Sequence, residues 1–382
     1  MLYRPFGKTN EKLSILGFGA MRLPIIGDDV SQIDEDKALK MIRHAIDEGV
    51  NYLDTAWPYH GGNSEAFCGK VMKDGYREKV NIATKLPSWD IKKHEDMDRI
   101  LDQQLKRLGV ETIDFYLIHS LNTANWNNMK KHDYKSFLSR AVEAGKIRYI
   151  GFSHHDSIDL FKEIVDDNDW DFCQIQLNYL DENYQAGLEG MDYASSKGMG
   201  VVVMEPLRGG MLARKEIPEE LQAIWDSAEV KRSPAEWALR SVWNREKVSV
   251  ILSGMTTMEQ VVENLKTASQ ALPSSLSEEE NKIIIRAQNY FHSKIKVDCT
   301  NCRYCMPCPQ GVYIPEIFWA YNHEALFGDF NKAKLWTTSF LKEHQRPSNC
   351  NRCGACEKHC PQNIEIRKHL KVIAARYEGV TT

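Results

Sequence analysis

The chain has 382 residues, of which 42% are hydrophobic, 27% charged and 10% aromatic, with a formal net charge of −4. These are ordinary globular values, so collagen, coiled coil and wholesale disorder are excluded, and no basic excess points to nucleic acid. No run of about 18 apolar residues is present, and the opening MLYRPFGKTN has no apolar signal core, so the expectation is a cytoplasmic protein with no membrane partner.

Taken in chain order, short β-rich runs alternate with longer amphipathic stretches. The runs are LSILGFG (13–19), NYLD (51–54), VNIATK (80–85), IDFYLIH (113–119), IRYIGFS (147–153), DFCQIQL (171–177), GVVVME (200–205) and VSVILSG (248–254). Between them, 35–49, 97–109 and 136–146 carry apolar residues at three- and four-residue spacing, which predicts helices, and AIDEG and AVEAG close on a helix-stopping Gly. Eight strand–helix units within 1–270 have the rhythm of a (β/α)8 TIM barrel. An open doubly wound sheet fits less well, because GFGAMRLP supplies one Gly-x-Gly and no full phosphate-binding fingerprint. Residues 271–297 read as a linker and connecting helix, ALPSSLS followed by EEENKIIIRAQNYFHSK, with Ser277 as N-cap. Residues 298–382 form a separate region, since eight of the ten cysteines fall between Cys299 and Cys360. In it, IPEIFWAYNHEALF and DFNKAKLWTTSFLKEH read as two helices, so a small α-helical domain is expected.

The second, third and fourth strands end in Asp54, Lys85 and His119, and Tyr59 follows in the loop after Asp54. In a parallel barrel all strand C-termini share one mouth, where active sites lie. A free tyrosine titrates near about 10 and donates its proton poorly at neutrality; a neighbouring ammonium favours the phenolate. Asp54 can hold the Lys85 ammonium, and His119 can donate to a carbonyl oxygen. Reduction at the adjoining carbon then needs a hydride source, for which a nicotinamide is the usual one.

GVNYLDTAWPYHGGNSEAFCG, ATKLP and DFYLIHS resemble the aldo/keto reductase family, and the similarity runs from about residue 3 to 270. The resemblance implies catalytic roles for Asp54, Tyr59, Lys85 and His119, an extended NAD(P)H cofactor and a small carbonyl substrate. It further implies nicotinamide contacts from Ser153, His154 (where the family has Asn), Gln174 and Met204 (where many members stack Tyr), and adenine contacts from Glu263 and Asn264. Gly19 and Leu207 join the same expected set. Gly254, Met255 and Gln260 stand where the family grips a 2′-phosphate with basic and hydroxyl groups, so no strong NADPH preference is expected. Trp57 and Trp89 are either pocket walls or buried packing, and His155 a polar loop residue.

Cys350-x₂-Cys353-x₂-Cys356-x₃-Cys360-Pro is the bacterial ferredoxin run, and Cys299-x₂-Cys302-x₂-Cys305-x₂-Cys308-Pro departs from it by one residue. Disulfides are disfavoured in a cytosolic chain, and zinc sites pair two knuckles rather than triplets ending in Cys-Pro. The expectation is two 4Fe–4S clusters with crossed ligation: Cys299, Cys302, Cys305 and Cys360 on one, Cys350, Cys353, Cys356 and Cys308 on the other. The long spacer resembles helical ferredoxin domains. From residue 298 on, 11 Lys and Arg face 8 Asp and Glu, an excess that offsets negatively charged clusters. The expected activity is NAD(P)H-dependent reduction of an aldehyde or ketone. The alternative is a ferredoxin-linked electron-transfer or redox-sensing protein with the barrel as binding module. Exchange with an external ferredoxin or other redox protein, a structural or docking role, and redox sensing all stay open for the clusters.

Overall fold

The computed structural model describes residues 1–380. Ten strands form: β1 (Tyr3–Pro5), β2 (Lys12–Ser14), β3 (Leu16–Gly19), β4 (Tyr52–Asp54), β5 (Asn81–Pro87), β6 (Ile113–Leu121), β7 (Ile147–His154), β8 (Phe172–Gln176), β9 (Gly200–Met204) and β10 (Val250–Ser253). The hairpin β1–β2 stands apart, and β3 to β10 close into a barrel in chain order, with β10 returning to β3. All barrel pairings are parallel, including the closing pair Leu252↔Gly17. The expected strands all occur, and the helices Glu35–Asp47, Glu95–Leu108 and Tyr134–Glu143 bury the predicted apolar faces. Gly49 (φ 98°) and Gly145 (φ 68°) follow two of those helices in the left-handed region, which is why Gly stops them.

The barrel interior is aromatic below and ionisable above. Phe6, from the hairpin side, lies 5.1 Å from Phe115 and 5.5 Å from Phe172, ring centre to ring centre. Tyr52, Ala83, Leu117, Val202 and Val250 complete this buried plug. Side chains alternate along a strand, so Tyr52 below puts Asp54 above on the same inner face, Ala83 does so for Lys85, and Leu117 for His119.

The chain divides into two compact units: Met1–Pro206 with Ala238–Leu276, and Leu207–Trp237 with everything from Ser277 on. The expected division near residue 270 is therefore not the whole of it, because Leu207–Trp237 joins the second unit. In that unit Ser277 caps Glu278–Lys294 through a full capping box with Glu280. The helix Glu219–Asp226 lies against it, and Trp225 stacks on Trp237 at 5.3 Å. Arg208 pairs with Asp298 at 2.7 Å. Gly209 (φ 67°) faces Thr300 so closely that a Cβ would sit 1.9 Å from the Thr300 carbonyl oxygen, so only glycine fits. The helix Ile314–Phe327 forms as expected. The second expected helix is a shorter one, Phe330–Leu335, running into a π turn at Trp336–Phe340. There Thr337 and Thr338 donate to the carbonyl oxygens of Ala333 and Lys334 (2.9 and 2.8 Å), a back-bonding that bends helices.

Candidate active site and cysteine centre

Lys85 is fully buried at the barrel mouth, and Asp54 is 2% exposed. The Lys85 ammonium donates to both Asp54 carboxylate oxygens and to the Thr55 carbonyl, each at 2.7 Å. Its three protons are thus matched by three acceptors. Burial lowers the lysine's pKa and raises the aspartate's, and each charge opposes the effect of burial on the other. The ammonium lies 5.0 Å from the centre of the Tyr59 ring.

Tyr59 opens a tight turn, Tyr59–Gly62, in which His60 (φ 52°) and Gly61 (φ 64°) are left-handed. His60 pins this turn: its Nδ1 bonds the Val30 carbonyl at 2.6 Å, and its Nε2 accepts from the Leu23 amide at 3.3 Å. The Tyr59 ring stands edge-on to His119, 6.2 Å between centres.

His119 sits in a β-bulge, where the β6–β7 register shifts between Ile118 and Leu121. Bulges re-aim side chains beside active sites. The next residue, Ser120, takes φ 54°, and its amide donates to Ser153 Oγ at 2.7 Å. Burial, then the Lys85 charge, then His155 hold the His119 imidazole well below its ordinary pKa, so it stays neutral. A neutral imidazole keeps one N–H to donate.

Behind β5, a buried polar network fixes Lys85 from outside. Glu65 accepts from Thr84 (2.7 Å), Gln104 (2.6 Å) and Arg107 (3.0 Å), and Gln104 also donates to the Lys85 carbonyl at 3.0 Å. Neither Glu65 nor His60 stood out in the sequence, because each acts only through contacts distant along the chain.

The structure brings some expected cofactor residues together and separates others. Ser153 pairs in register with Gln174, and Gln176 with Met204, on the inner faces of β7, β8 and β9. Gln174 Nε2 contacts Met204 Sδ at 3.5 Å, while its Oε1 is buried without a hydrogen-bond partner. His154 is turned the other way. Its ring meets Phe161 of the helix Ile158–Asp167 at 5.2 Å, outside the barrel wall, and both ring nitrogens lack partners. His155 faces the mouth instead, its Nδ1 3.2 Å from Gln185 Oε1. The expected nicotinamide contact from His154 is therefore replaced, because strand alternation from Ser153 turns His154 outward and His155 inward. Trp89 stands beside His119 at 5.1 Å, whereas Trp57 is covered by Arg107 at 3.7 Å.

After β10, Gln260 is spent on the capping box of Met258–Ala268, Met255 is buried, and Asn264 donates to Ser253 Oγ at 3.0 Å. Glu263 lies in the same helix. Gly254 makes room for Arg22, whose Cβ, Cγ and Cδ lie 3.1–3.3 Å from where a side chain would begin. Gly19 ends β3, and Leu207 belongs to the second unit.

In the second unit, Cys299, Cys302, Cys305 and Cys360 line one cavity with Ile314, Phe318 and Ile366. Burial, then the neighbouring Cys299 and Cys360, pushes the Cys305 thiol up to about 12. Burial, Glu357, Cys350 and also Cys308 push Cys356 to about 11. Each triplet therefore neighbours the other's lone Cys-Pro cysteine. Among the described residues, no three Cys, His, Asp or Glu close tightly enough for a single metal ion. A donor set of cysteines alone, in two triplets each followed by a lone Cys-Pro, fits thiolate-ligated iron–sulfur clusters. No helix is long and apolar enough to cross a membrane among the described residues.

A parallel barrel that gathers its ionisable side chains at the strand C-termini is the architecture of a large class of α/β-barrel enzymes. Within that class the chain belongs to the aldo/keto reductase family, whose model matches residues 15–285. A second model, a 4Fe-4S dicluster domain, matches residues 298–365. Among curated relatives, an L-galactose dehydrogenase of Arabidopsis thaliana is 27% identical over 286 residues, 70% of this chain and 88% of that one. An NADH-specific methylglyoxal reductase of Escherichia coli is 26% identical over 310 residues, 68% and 91% of the two chains. The holo form of an aldo-keto reductase from Bacillus halodurans superposes with a TM-score of 0.63 at 27% identity, covering 75% of this chain and 96% of that one.

Proposed function

We propose that the barrel reduces an aldehyde or ketone with NADH or NADPH, and that the second unit carries two 4Fe–4S clusters with crossed ligation. The observation that supports the barrel reading most strongly is the Tyr59–Lys85–Asp54–His119 constellation at the mouth. When bound, the nicotinamide supplies the hydride. Tyr59 donates the proton to the carbonyl oxygen, and the Lys85 ammonium, held in place by Asp54, favours the phenolate left behind. His119 donates its N–H to the same oxygen and sets its angle. Gln174 fits a carboxamide, since its buried Oε1 needs a donor.

Tyr59→Phe is the discriminating substitution. Lys85→Met also removes half of a buried ion pair, which costs about 3–5 kcal/mol of stability on its own; Tyr59→Phe leaves that pair intact. Anaerobic turnover over a panel of aldehydes and ketones should fall by roughly 10²–10⁴ in Tyr59→Phe, with nicotinamide binding unchanged. Retention of more than about a tenth of the parent rate rejects the role.

Cofactor choice follows from the turn after β10. Gly254, Met255 and Gln260 offer no positive charge to a 2′-phosphate, so NADH and NADPH dissociation constants should agree within about tenfold, or about 1.4 kcal/mol. A larger NADPH advantage that collapses in Arg22→Ala would assign the phosphate to Arg22, whose stem lies along Gly254.

A further inference from the structure

A cleft on the second unit is lined by Arg352, Arg367, Lys368, Lys371, Glu357 and Glu365. Two of its cations are already paired, Arg367 with Glu357 and Lys368 with Glu365, each at 2.6 Å. Arg352 and Lys371 are left over as net positive charge, both exposed. The cleft abuts the second cysteine triplet. Arg352 precedes Cys353, the one exposed cysteine of the eight. The Arg367 guanidinium carbon lies 3.4 Å from where a Gly354 side chain would begin, and its charge is felt at Cys356 and Cys350. The chain as a whole carries −4, so this basic face is a local exception.

We propose that the cleft is the docking site of an acidic one-electron carrier protein of the iron–sulfur type, which exchanges electrons with the cluster held by Cys350, Cys353 and Cys356. The inference rests on the reading that this triplet holds a cluster. One electron moves per encounter: the reduced carrier loses it, the oxidised cluster gains it, and no proton or atom is transferred. Charge complementarity selects the partner. An acidic carrier is attracted at Arg352 and Lys371 and repelled by the acidic remainder of the chain, which orients it toward the exposed Cys353. Arg367, committed to Glu357 and to the thiolates, meets the electrostatic need of the cluster itself and leaves the other two for a partner.

The test uses the anaerobically purified full chain and a plant-type 2Fe–2S ferredoxin as the acidic probe. Two quantities are read: the dissociation constant of oxidised probe, and the stopped-flow rate at which prereduced probe bleaches the 4Fe–4S absorbance. Both should weaken about tenfold or more between about 20 and about 200 mM NaCl. Arg352→Glu with Lys371→Glu should weaken both by about tenfold at the lower salt, while cluster absorbance and nicotinamide-dependent carbonyl reduction stay at the parent level. Binding and transfer untouched by the double reversal overturn the proposal. So do equal rates with a basic haem carrier, or heparin bound as tightly as the probe, which would mark a generic polyanion surface. A chain that lacks cluster absorbance refutes the cluster reading separately, and the electron-exchange proposal with it.

Discussion

His154 shows how one residue's direction decides its meaning. It stands one position past Ser153, and strand alternation sends it outward to Phe161, away from the mouth. Burial there pushes its pKa down to about 3, and burial likewise takes His155 to about 4. The unfolded chain titrates near 6.5, so between that pH and the folded values it binds protons that the native state refuses. Stability therefore falls as pH drops below about 6.5, by up to about 1.4 kcal/mol per pH unit for each histidine. His154→Phe removes one of those protons. Urea unfolding of the two proteins from pH 7 to pH 5 should give a shallower acid slope for the variant. Parallel curves would show that His154 is protonated within the fold.

At the scale of elements, the eight barrel strands and their helices were legible because alternation, 3.6-residue periodicity and helix-stopping glycines all agree there. Asp54, Lys85 and His119 were legible as strand-end residues for the same reason. The bulge that aims His119 was not, because a register shift is a property of two strands, β6 and β7, and not of either sequence. The π turn at Trp336–Phe340 was missed because LWTTSF holds no Gly or Pro; the bend comes from the Thr337 and Thr338 hydroxyls. The cysteine segments were more legible: the two triplets, each followed by a lone Cys-Pro, already set Cys360 with the first triplet, and those four cysteines line one cavity. Cys360→Ser should therefore disturb the spectroscopic signature of the Cys299–Cys302–Cys305 cluster and spare the one beside it in sequence. Iron and acid-labile sulfide in the parent should approach about eight of each, as two cubanes require. Loss confined to the second triplet's cluster would establish uncrossed ligation.

At the scale of the whole molecule, composition marks a border near residue 298, where the cysteines begin. The compact units follow a different line, because Leu207–Trp237 packs with Glu278–Lys294 and with the segment around Asp298 and Thr300. Nothing local in Leu207–Trp237 reports that allegiance. It emerges from contacts such as Gly209 against Thr300, made across a long sequence separation, which single-sequence patterns do not record.

That interleaving sets an order of events on the ribosome. Leu207–Trp237 leaves the exit tunnel before the rest of its unit exists: β10 and the helix Met258–Ala268, which finish the barrel, come next, and Glu278–Lys294 and the cysteine segments come last. At about 5–20 residues per second, this strip waits on the order of seconds with Leu221, Trp225 and Trp237 uncovered. The nascent barrel is equally unfinished over that interval, open between β9 and β3. The two units are thus completed by alternating turns of synthesis, and a gene cut at the cysteine border would leave the second unit without Leu207–Trp237.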